Sequence, residues 1–198
     1  MGEMDSHQAM NNLSLNEILE RMRSGERRNH FSRIIAIDGP AGSGKTTLAA
    51  RITSQWEEGV VCTVHMDDLY EGWDLALSER LTRTLVYSIA TPVSTGKNFS
   101  YRKYDWFKKG FAELIESPLP SLLILEGVGS GQKDVRKFLD QLIWIDIDHE
   151  TGLQRVLRRD GDYLETEMRV WQKREREHFE HDNTRDCATF RIDGKYFI

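Results

Sequence analysis

Short runs of apolar, mostly β-branched residues alternate along the chain with segments whose apolar residues recur at helical spacing. Continuous apolar runs predict strands that are buried on both faces. These runs are RIIAID, VVCTVH, SLLILE, QLIWIDI and ATFRID, at residues 33–38, 60–65, 121–126, 141–147 and 188–193. Helical spacing predicts helices at 46–58, 75–90, 111–117, 133–140, 150–160 and within 162–182. Strands alternating with helices predict an α/β fold, in which helices cover both faces of a parallel sheet.

The segment before the first predicted strand has a helical pattern of its own. In SLNEILERMRSGE, Ser14 and Glu17 have the spacing of a capping box, and Gly25 would end the helix. We assign residues 1–30 to an N-terminal extension and 31–198 to a single domain. Within the domain we expect an irregular, aromatic excursion at about 91–111 and a lid at about 155–165.

Composition excludes several classes of protein. The 198 residues are 39% hydrophobic, and 27 basic against 32 acidic residues give a formal charge of −5. This mild acidity argues against binding to nucleic acid or to an anionic membrane as the main function. The sequence has no apolar signal segment and no membrane-spanning run, and we expect a cytoplasmic protein. Cys62 and Cys187 predict two buried thiols, and neither a disulfide nor a metal site.

The first strand runs directly into a glycine-rich loop and a helix. Residues 39–46, GPAGSGKT, satisfy the pattern GxxxxGK[ST] of a phosphate-binding P-loop. Glycines allow the backbone to approach a phosphate chain closely, and the following helix presents its positive dipole end. The pattern predicts that Lys45 contacts the β- and γ-phosphates and that the Thr46 hydroxyl ligates Mg²⁺. The predicted ATP-binding residues are Gly39, Pro40, Ala41, Gly42, Ser43, Gly44, Lys45, Thr46 and Thr47.

A P-loop alone does not identify the reaction. The chain has no Asn-Lys-x-Asp segment to read guanine, and it is small for a motor or an AAA-type ATPase. A small chain with its own acceptor pocket favours phosphoryl transfer to a small molecule. Such a pocket needs a carboxylate for the acceptor hydroxyl, a metal ligand and mobile arginines.

Candidate carboxylates follow the predicted strands. Asp67 and Asp68 come after the second strand and Glu126 ends the third, where ligands of open α/β sheets collect. The Asp pair could instead cap the next helix, and Glu126 could face solvent. We expect Asp67 to orient and deprotonate a hydroxyl. We expect Mg²⁺ to bind Thr46 and, through water, Glu126 or Asp67.

Three arginines, Arg155, Arg158 and Arg159, precede Gly161 on one predicted helix. Arginines beside a glycine hinge suit a lid that closes over ATP. We therefore predict that Arg158 and Arg159, with Lys45 and Asp67, are catalytic. A surface helix with salt bridges to Asp160 or Asp162 is the alternative.

The motifs GPAGSGKTT, MDDLY, YRKYDWF, LILEGV and RVLRRD together resemble the uridine kinase and phosphoribulokinase-like branch of P-loop kinases, from about Arg33 to the C terminus. The resemblance implies a three-layer P-loop NTPase fold, with a five-stranded parallel sheet flanked by helices and a small lid, and ATP and Mg²⁺ as co-substrates. It places the catalytic base at Asp67. The implied acceptor-binding residues are Asp67, Tyr70, Asp74, Tyr104, Trp106 and Arg155.

The acceptor itself is only partly constrained. Aromatic residues between 101 and 111 could pack a subdomain or stack on a planar ring, and a ring-bearing substrate is favoured. Lys108 and Lys109 could meet an anionic acceptor or be exposed. We predict an ATP- and Mg²⁺-dependent kinase for a small-molecule hydroxyl, with a nucleoside as first candidate. A nucleoside monophosphate kinase and a nucleotide-binding regulator without transferase activity are the alternatives.

Overall fold

Five of the seven strands form one parallel sheet in the computed structural model, which describes residues 14–195. The strands are β1 (Arg33–Asp38), β2 (Val61–His65), β3 (Phe99–Asp105), β4 (Gly110–Ser117), β5 (Leu122–Glu126), β6 (Gln141–Asp146) and β7 (Phe190–Asp193). The sheet order is β2-β5-β1-β6-β7, and every pairing in it is parallel. The predicted α/β fold with a five-stranded parallel sheet is confirmed.

Six α-helices surround the sheet within the described residues. They are α1 (Leu15–Ser24), α2 (Lys45–Gln55), α3 (Glu79–Arg83), α4 (Thr91–Ser94), α5 (His149–Asp160) and α6 (Glu165–Asp182). A π-helical segment, Thr84–Ala90, joins α3 to α4, and a short 3-10 turn, Asp162–Leu164, joins α5 to α6. Within residues 14–195, no helix combines the length and the apolar character needed to cross a bilayer.

Alternate side chains of the central strand β1 enter two separate cores. Ile34 and Ala36 pack with residues of α5, α6 and the α3–α4 segment, whereas Ile35 and Ile37 pack with α1 and α2. All six residues of β1 are buried. The continuous apolar run therefore reflects a strand covered on both faces, as its sequence predicts.

Helix α1 is packed onto the domain through three side chains. Ile18, Leu19 and Met22 are buried beside α2 residues such as Leu48. The predicted capping box is present, because the Ser14 side chain accepts from Glu17 N–H and Glu17 accepts in return. The rest of the predicted extension, residues 1–13, lies outside the described residues.

The predicted helix at residues 111–117 is wrong, because this segment forms β4 and pairs antiparallel with β3. Phe111 and Ile115 are four residues apart, and that spacing puts two side chains on one side of either a helix or a strand. Pairing with β3 decides between them: Ile115 lies opposite Tyr101, and the Phe111 ring lies 5.2 Å from that of Tyr104. The excursion predicted at about 91–111 thus comprises α4, β3 and the turn into β4, and it is ordered where an irregular segment was expected.

Two further helix predictions differ from the structure. The segment 133–140 forms only a 3-10 turn, Arg136–Phe138, because the Asp140 carboxylate accepts from Ile34 N–H and Arg28 N–H and fixes the chain at β1. The helix predicted to end before Pro92 continues to Ser94. Pro92 stands in the first turn of α4, after the π-helical segment, and a proline is tolerated at that position of a helix.

Both cysteines are free thiols, as predicted, but neither is fully buried. Cys62 lies at intermediate exposure in β2, and Cys187 is exposed. The prediction that both are buried was therefore wrong.

Candidate functional site

The glycine loop between β1 and α2 adopts a conformation that requires glycine. Gly42 has φ +76°, and a Cβ placed there would lie 2.2 Å from the carbonyl oxygen of Gly152 in α5. Gly44, which precedes α2, has φ +99° and has no side chain to cap the helix. The first N–H groups of α2 are therefore left for an external partner, as in helix termini that bind phosphate.

Lys45, the first residue of α2, is buried against the loop. Its Nζ donates to the carbonyl oxygens of Gly39 and Pro40, at 2.8 Å each. The ammonium group is thus held beside the same loop whose backbone N–H groups would bind a phosphate. This arrangement places a positive charge at the phosphate site that the motif predicts.

Asp38, the last residue of β1, holds the start of the glycine loop in place through hydrogen bonds. Its carboxylate is fully buried and accepts N–H bonds from Gly39, Gly129 and Gly131 at 2.7–3.1 Å. Burial raises the pKa of Asp38, and the N–H bonds oppose that rise. The carboxylate joins the glycine loop to the segment after β5.

The carboxyl ends of β2 and β5 bring the predicted metal ligands together. Glu126 pairs in register with His65, and its Oε1 accepts from the Thr46 hydroxyl at 3.1 Å. The other oxygen of Glu126 lies 2.7 Å from His65 Nδ1, and this hydrogen bond raises the pKa of His65.

No cluster of three or more His, Cys, Asp or Glu ligands occurs within residues 14–195. Two adjacent oxygen donors nevertheless fit Mg²⁺, which keeps several waters and takes further oxygens from substrate phosphates.

Asp67 lies in the 3-10 turn Met66–Asp68 that follows β2. Asp67 is an exposed residue that lines the cavity, and the protein groups around its carboxylate desolvate it in part. This desolvation, together with the nearby charge of Glu126, raises the pKa of Asp67. Asp68 points elsewhere and forms an ion pair with Lys103 at 2.9 Å. Of the two aspartates, only Asp67 lines the cavity.

One cavity of about 530 Å³ joins the glycine loop to these carboxylates and to the predicted lid. Its volume lies within the range of small-molecule sites. The predicted site residues that line it are Ala41, Gly42, Gly44, Lys45, Thr46, Thr47, Asp67, Tyr70, Trp106, Glu126, Arg155, Arg158 and Arg159. The cavity therefore brings most of the predicted donor and acceptor residues together.

The three arginines line the cavity but have different partners. Arg155 donates to the carbonyl oxygens of Gly42 and Gly194, so it joins the glycine loop to the segment after β7. Arg159 makes a two-bond contact with Asp160, at 2.7 Å for each bond, which raises the pKa of Arg159. To contact a phosphoryl group, Arg159 would have to leave or share this carboxylate.

Aromatic rings form part of the wall of the cavity. The Trp73 ring lies 5.5 Å from that of Trp106 and 5.8 Å from that of Trp171, measured between centroids. Tyr70 packs on Trp171, and its hydroxyl donates to the Val128 carbonyl. The indole N–H of Trp106 donates to the Asp67 carbonyl oxygen at 3.0 Å. Trp73 and Trp106 keep 37% of their surface exposed, so ring surface is available in the cavity.

Several predicted site residues lie outside the cavity lining. Asp74 forms an ion pair with Arg174 at 2.6 Å, and Tyr104 is buried beneath Trp106 in an edge-to-face contact. Gly39, Pro40 and Ser43 shape the loop from behind. Lys108 pairs with Asp105 at the hairpin tip. The roles assigned to these residues stay predictions.

Sequence reasoning missed three residues at the site. Trp73 stands in a polar loop, where a large aromatic residue is an unusual signal. Trp171 recurs at helical spacing with Leu164 and Met168, a pattern more typical of a core-facing stripe than of a site. Glu175 looks like one of many charged residues of α6, yet it is fully buried and accepts the N–H of Ala41 in the glycine loop.

Comparison with known proteins supports the resemblance inferred from the motifs. No protein-family profile matches the chain. Over 147 residues it is 26% identical to a uridine kinase from Schizosaccharomyces pombe, and over 142 residues 26% identical to a uridine kinase from Clostridium tetani. These matches cover 66% and 64% of this chain, but only 32% of the yeast protein and 67% of the clostridial one. The yeast relative is thus about three times as long as the matched part.

Solved structures show the same fold. A possible uridine kinase from Bacillus stearothermophilus superposes with a TM-score of 0.65 at 18% identity, covering 90% of this chain and 97% of that one. D-glycerate 3-kinase from Cryptococcus neoformans superposes with a TM-score of 0.55 at 14% identity, covering 91% and 93%. The predicted resemblance to uridine kinase-like P-loop kinases is confirmed in sequence and in fold.

Proposed function

Because the chain resembles uridine kinase-like P-loop kinases, we propose that it transfers the γ-phosphate of ATP, with Mg²⁺, to a hydroxyl of a small ring-bearing molecule, with a nucleoside as the first candidate. One observation carries the proposal: the glycine loop, Asp67 and Glu126 open into the same cavity. A donor phosphate and an acceptor hydroxyl bound there would be close to each other and to a carboxylate.

The proposed roles follow from the chemistry of transfer. Lys45 and the backbone N–H groups at the start of α2 bind the phosphates and hold them in place. Asp67 orients the acceptor hydroxyl and accepts its proton, and its raised pKa makes it a stronger base than an ordinary aspartate. Arg158 and Arg159 neutralise charge on the transferring group. Thr46 and Glu126 would hold Mg²⁺, which supplies further neutralisation of the phosphates when bound.

The aromatic wall supports a ring in the acceptor. Indole faces attract planar rings, and each stacked base is worth about 1–3 kcal/mol when measured by alanine substitution. Trp73, Trp106 and Trp171 line the cavity, and Trp73 and Trp106 keep part of their ring surface exposed. An anionic acceptor is less favoured, because Lys108 pairs with Asp105 and neither Lys108 nor Lys109 lines the cavity.

An ADP-release assay with purified protein, Mg-ATP and a panel of acceptors tests this proposal. The panel contains nucleosides, nucleoside monophosphates and acyclic hydroxy acids. Stimulation by nucleosides supports the proposal, and stimulation by monophosphates alone identifies a nucleoside monophosphate kinase instead. Stimulation by hydroxy acids alone contradicts a ring-bearing acceptor. ATP binding without turnover against any acceptor identifies a nucleotide-binding regulator.

Trp73→Ala is expected to raise the KM for the acceptor by about 5- to 150-fold, because it removes about 1–3 kcal/mol of ring contact. The KM for ATP should change less than about twofold, since the ring contacts of Trp73 are with Trp106 and Trp171. Steady-state kinetics with each substrate varied in turn measures both values. Trp73→Phe keeps a ring and should restore most of the acceptor affinity. Equal KM values for the alanine variant and the wild type would remove Trp73 from the acceptor site.

A further inference from the structure

Glu175 connects helix α6 to the glycine loop across the fold. Its side chain is fully buried, and its Oε2 accepts the backbone N–H of Ala41 at 3.0 Å. Ala41 is the third residue of GPAGSGKT and lines the cavity. The other carboxylate oxygen, Oε1, is buried and has no hydrogen-bond partner within residues 14–195. A fully buried carboxylate with one oxygen that lacks a hydrogen-bond partner is costly to keep ionised.

The groups that act on the charge of Glu175 come from α2, β1, the loop after β2 and α6 itself. Lys45 of α2 favours the ionised carboxylate, and Asp38 of β1 disfavours it. The charge of Glu175 contributes to the raised pKa of Tyr70, although the Tyr70 hydroxyl donates its hydrogen bond to the Val128 carbonyl. On α6 itself the Trp171 indole favours the ionised form, and His178 lies one turn further on. Burial outweighs these contributions and raises the pKa of Glu175 to about 7.

Nucleotide phosphates would bring several negative charges to the loop that Glu175 contacts. Lys45, which now helps to hold Glu175 ionised, is also the side chain that those phosphates would engage. The added negative charge and the engagement of Lys45 both disfavour the ionised carboxylate of Glu175 and favour its neutral acid. The neutral acid can still accept the Ala41 N–H through its carbonyl oxygen, while a proton from solvent occupies the oxygen that has no partner.

We propose that Glu175 is a positioning residue that holds the Ala41 segment of the glycine loop against α6, and that it takes up a proton from solvent when a nucleoside triphosphate enters the loop. The inference rests on the proposed function in one respect only, which is that the loop binds a nucleotide. It adds a coupling between pH and nucleotide affinity that involves neither Asp67 nor the metal ligands.

The test measures proton uptake on binding of the nonhydrolysable analogue AMP-PNP with Mg²⁺, using the full-length protein. Isothermal titration calorimetry at pH 8 in HEPES and in Tris, which differ in ionisation enthalpy, gives the number of protons taken up. Glu175→Gln keeps a carbonyl that can accept the Ala41 N–H but cannot titrate, so it corrects for protons bound by the nucleotide and by other residues. Near pH 8 a group with a pKa of about 7 is mostly ionised. We therefore expect the wild type to take up about 0.5 protons more than the variant.

Affinity gives a second measurement. Between pH 6 and pH 8 the wild-type affinity for AMP-PNP should fall about 3- to 10-fold more than that of Glu175→Gln. Glu175→Leu, which removes the acceptor for Ala41 N–H, should bind at least about fivefold more weakly than Glu175→Gln at pH 6. If the leucine variant does not fold, Glu175→Met, which also lacks an acceptor for Ala41 N–H, takes its place.

Equal proton counts in the wild type and Glu175→Gln would overturn the proton uptake. Equal affinities of Glu175→Leu and Glu175→Gln would overturn the positioning role. In either case a wild type that binds AMP-PNP leaves the proposed kinase function intact. A wild type that binds no nucleotide would instead overturn the proposed function, and the inference with it.

Discussion

Asp67→Asn is expected to lower turnover by about 100- to 10,000-fold, which is the usual contribution of a positioned general base. Asparagine has nearly the same shape and can still contact an acceptor hydroxyl, but it cannot accept the proton. Nucleotide affinity should change little, because Lys45 and the loop N–H groups hold the phosphates. Single-turnover phosphoryl transfer and equilibrium binding of AMP-PNP measure the two effects separately.

Asp68→Asn is the matched control. Asp68 is the adjacent residue in the same 3-10 turn, but it pairs with Lys103 and does not line the cavity. Its turnover should stay within a few fold of the wild type. Equal losses in the two variants would indicate that the turn is merely distorted. Unchanged turnover in Asp67→Asn would remove Asp67 from its proposed role.

Gly42→Ala should lower the free energy of unfolding by more than about 2 kcal/mol and weaken nucleotide binding at least tenfold. A side chain at φ +76° is strained by roughly 1–2 kcal/mol, and its Cβ would meet the Gly152 carbonyl at 2.2 Å. Backbone atoms form that contact, so the loop itself must shift away from α5. Chemical denaturation measures the loss of stability, and titration with AMP-PNP measures the loss of affinity.

Substitutions at two other glycines separate the backbone clash from the strain at positive φ. Gly152→Ala places a Cβ 2.6 Å from the Ala41 carbonyl without a positive φ, so it should reproduce the clash alone. Gly110→Ala, whose Cβ would have its nearest contact at 4.0 Å, should change stability by less than about 0.5 kcal/mol. If Gly42→Ala matched Gly110→Ala in both measurements, the close packing of the loop on α5 would not matter for binding.

The sequence predicts the parts of the fold that local patterns determine. Buried parallel strands are continuous apolar runs, and β1 and β5 match their predicted ranges to within one residue. The glycine loop is also a local motif, so its position between β1 and α2 follows directly. Parallel strands end at the same edge of a sheet, which is why Asp67 and Glu126 could be expected to meet.

Local sequence patterns do not predict which residues far apart in the chain contact each other. Residues 111–117 are compatible with a helix or a strand, and only the partner strand β3 decides. Glu175 and Ala41 are 134 positions apart, and nothing in the charged sequence of α6 distinguishes Glu175 from its neighbours. Asp74 illustrates the same difficulty, because its ion pair with Arg174 spans 100 residues.

The hydrogen bond from the Trp106 indole to the Asp67 carbonyl has a consequence for acceptor selectivity. One side chain both faces the cavity and supports the backbone of the proposed base. An acceptor that packs on the Trp106 indole therefore also affects the position of Asp67. A fragment that carries the reactive hydroxyl but no ring would be expected to lose kcat as well as affinity, because binding energy remote from the reacting atoms would no longer align the carboxylate.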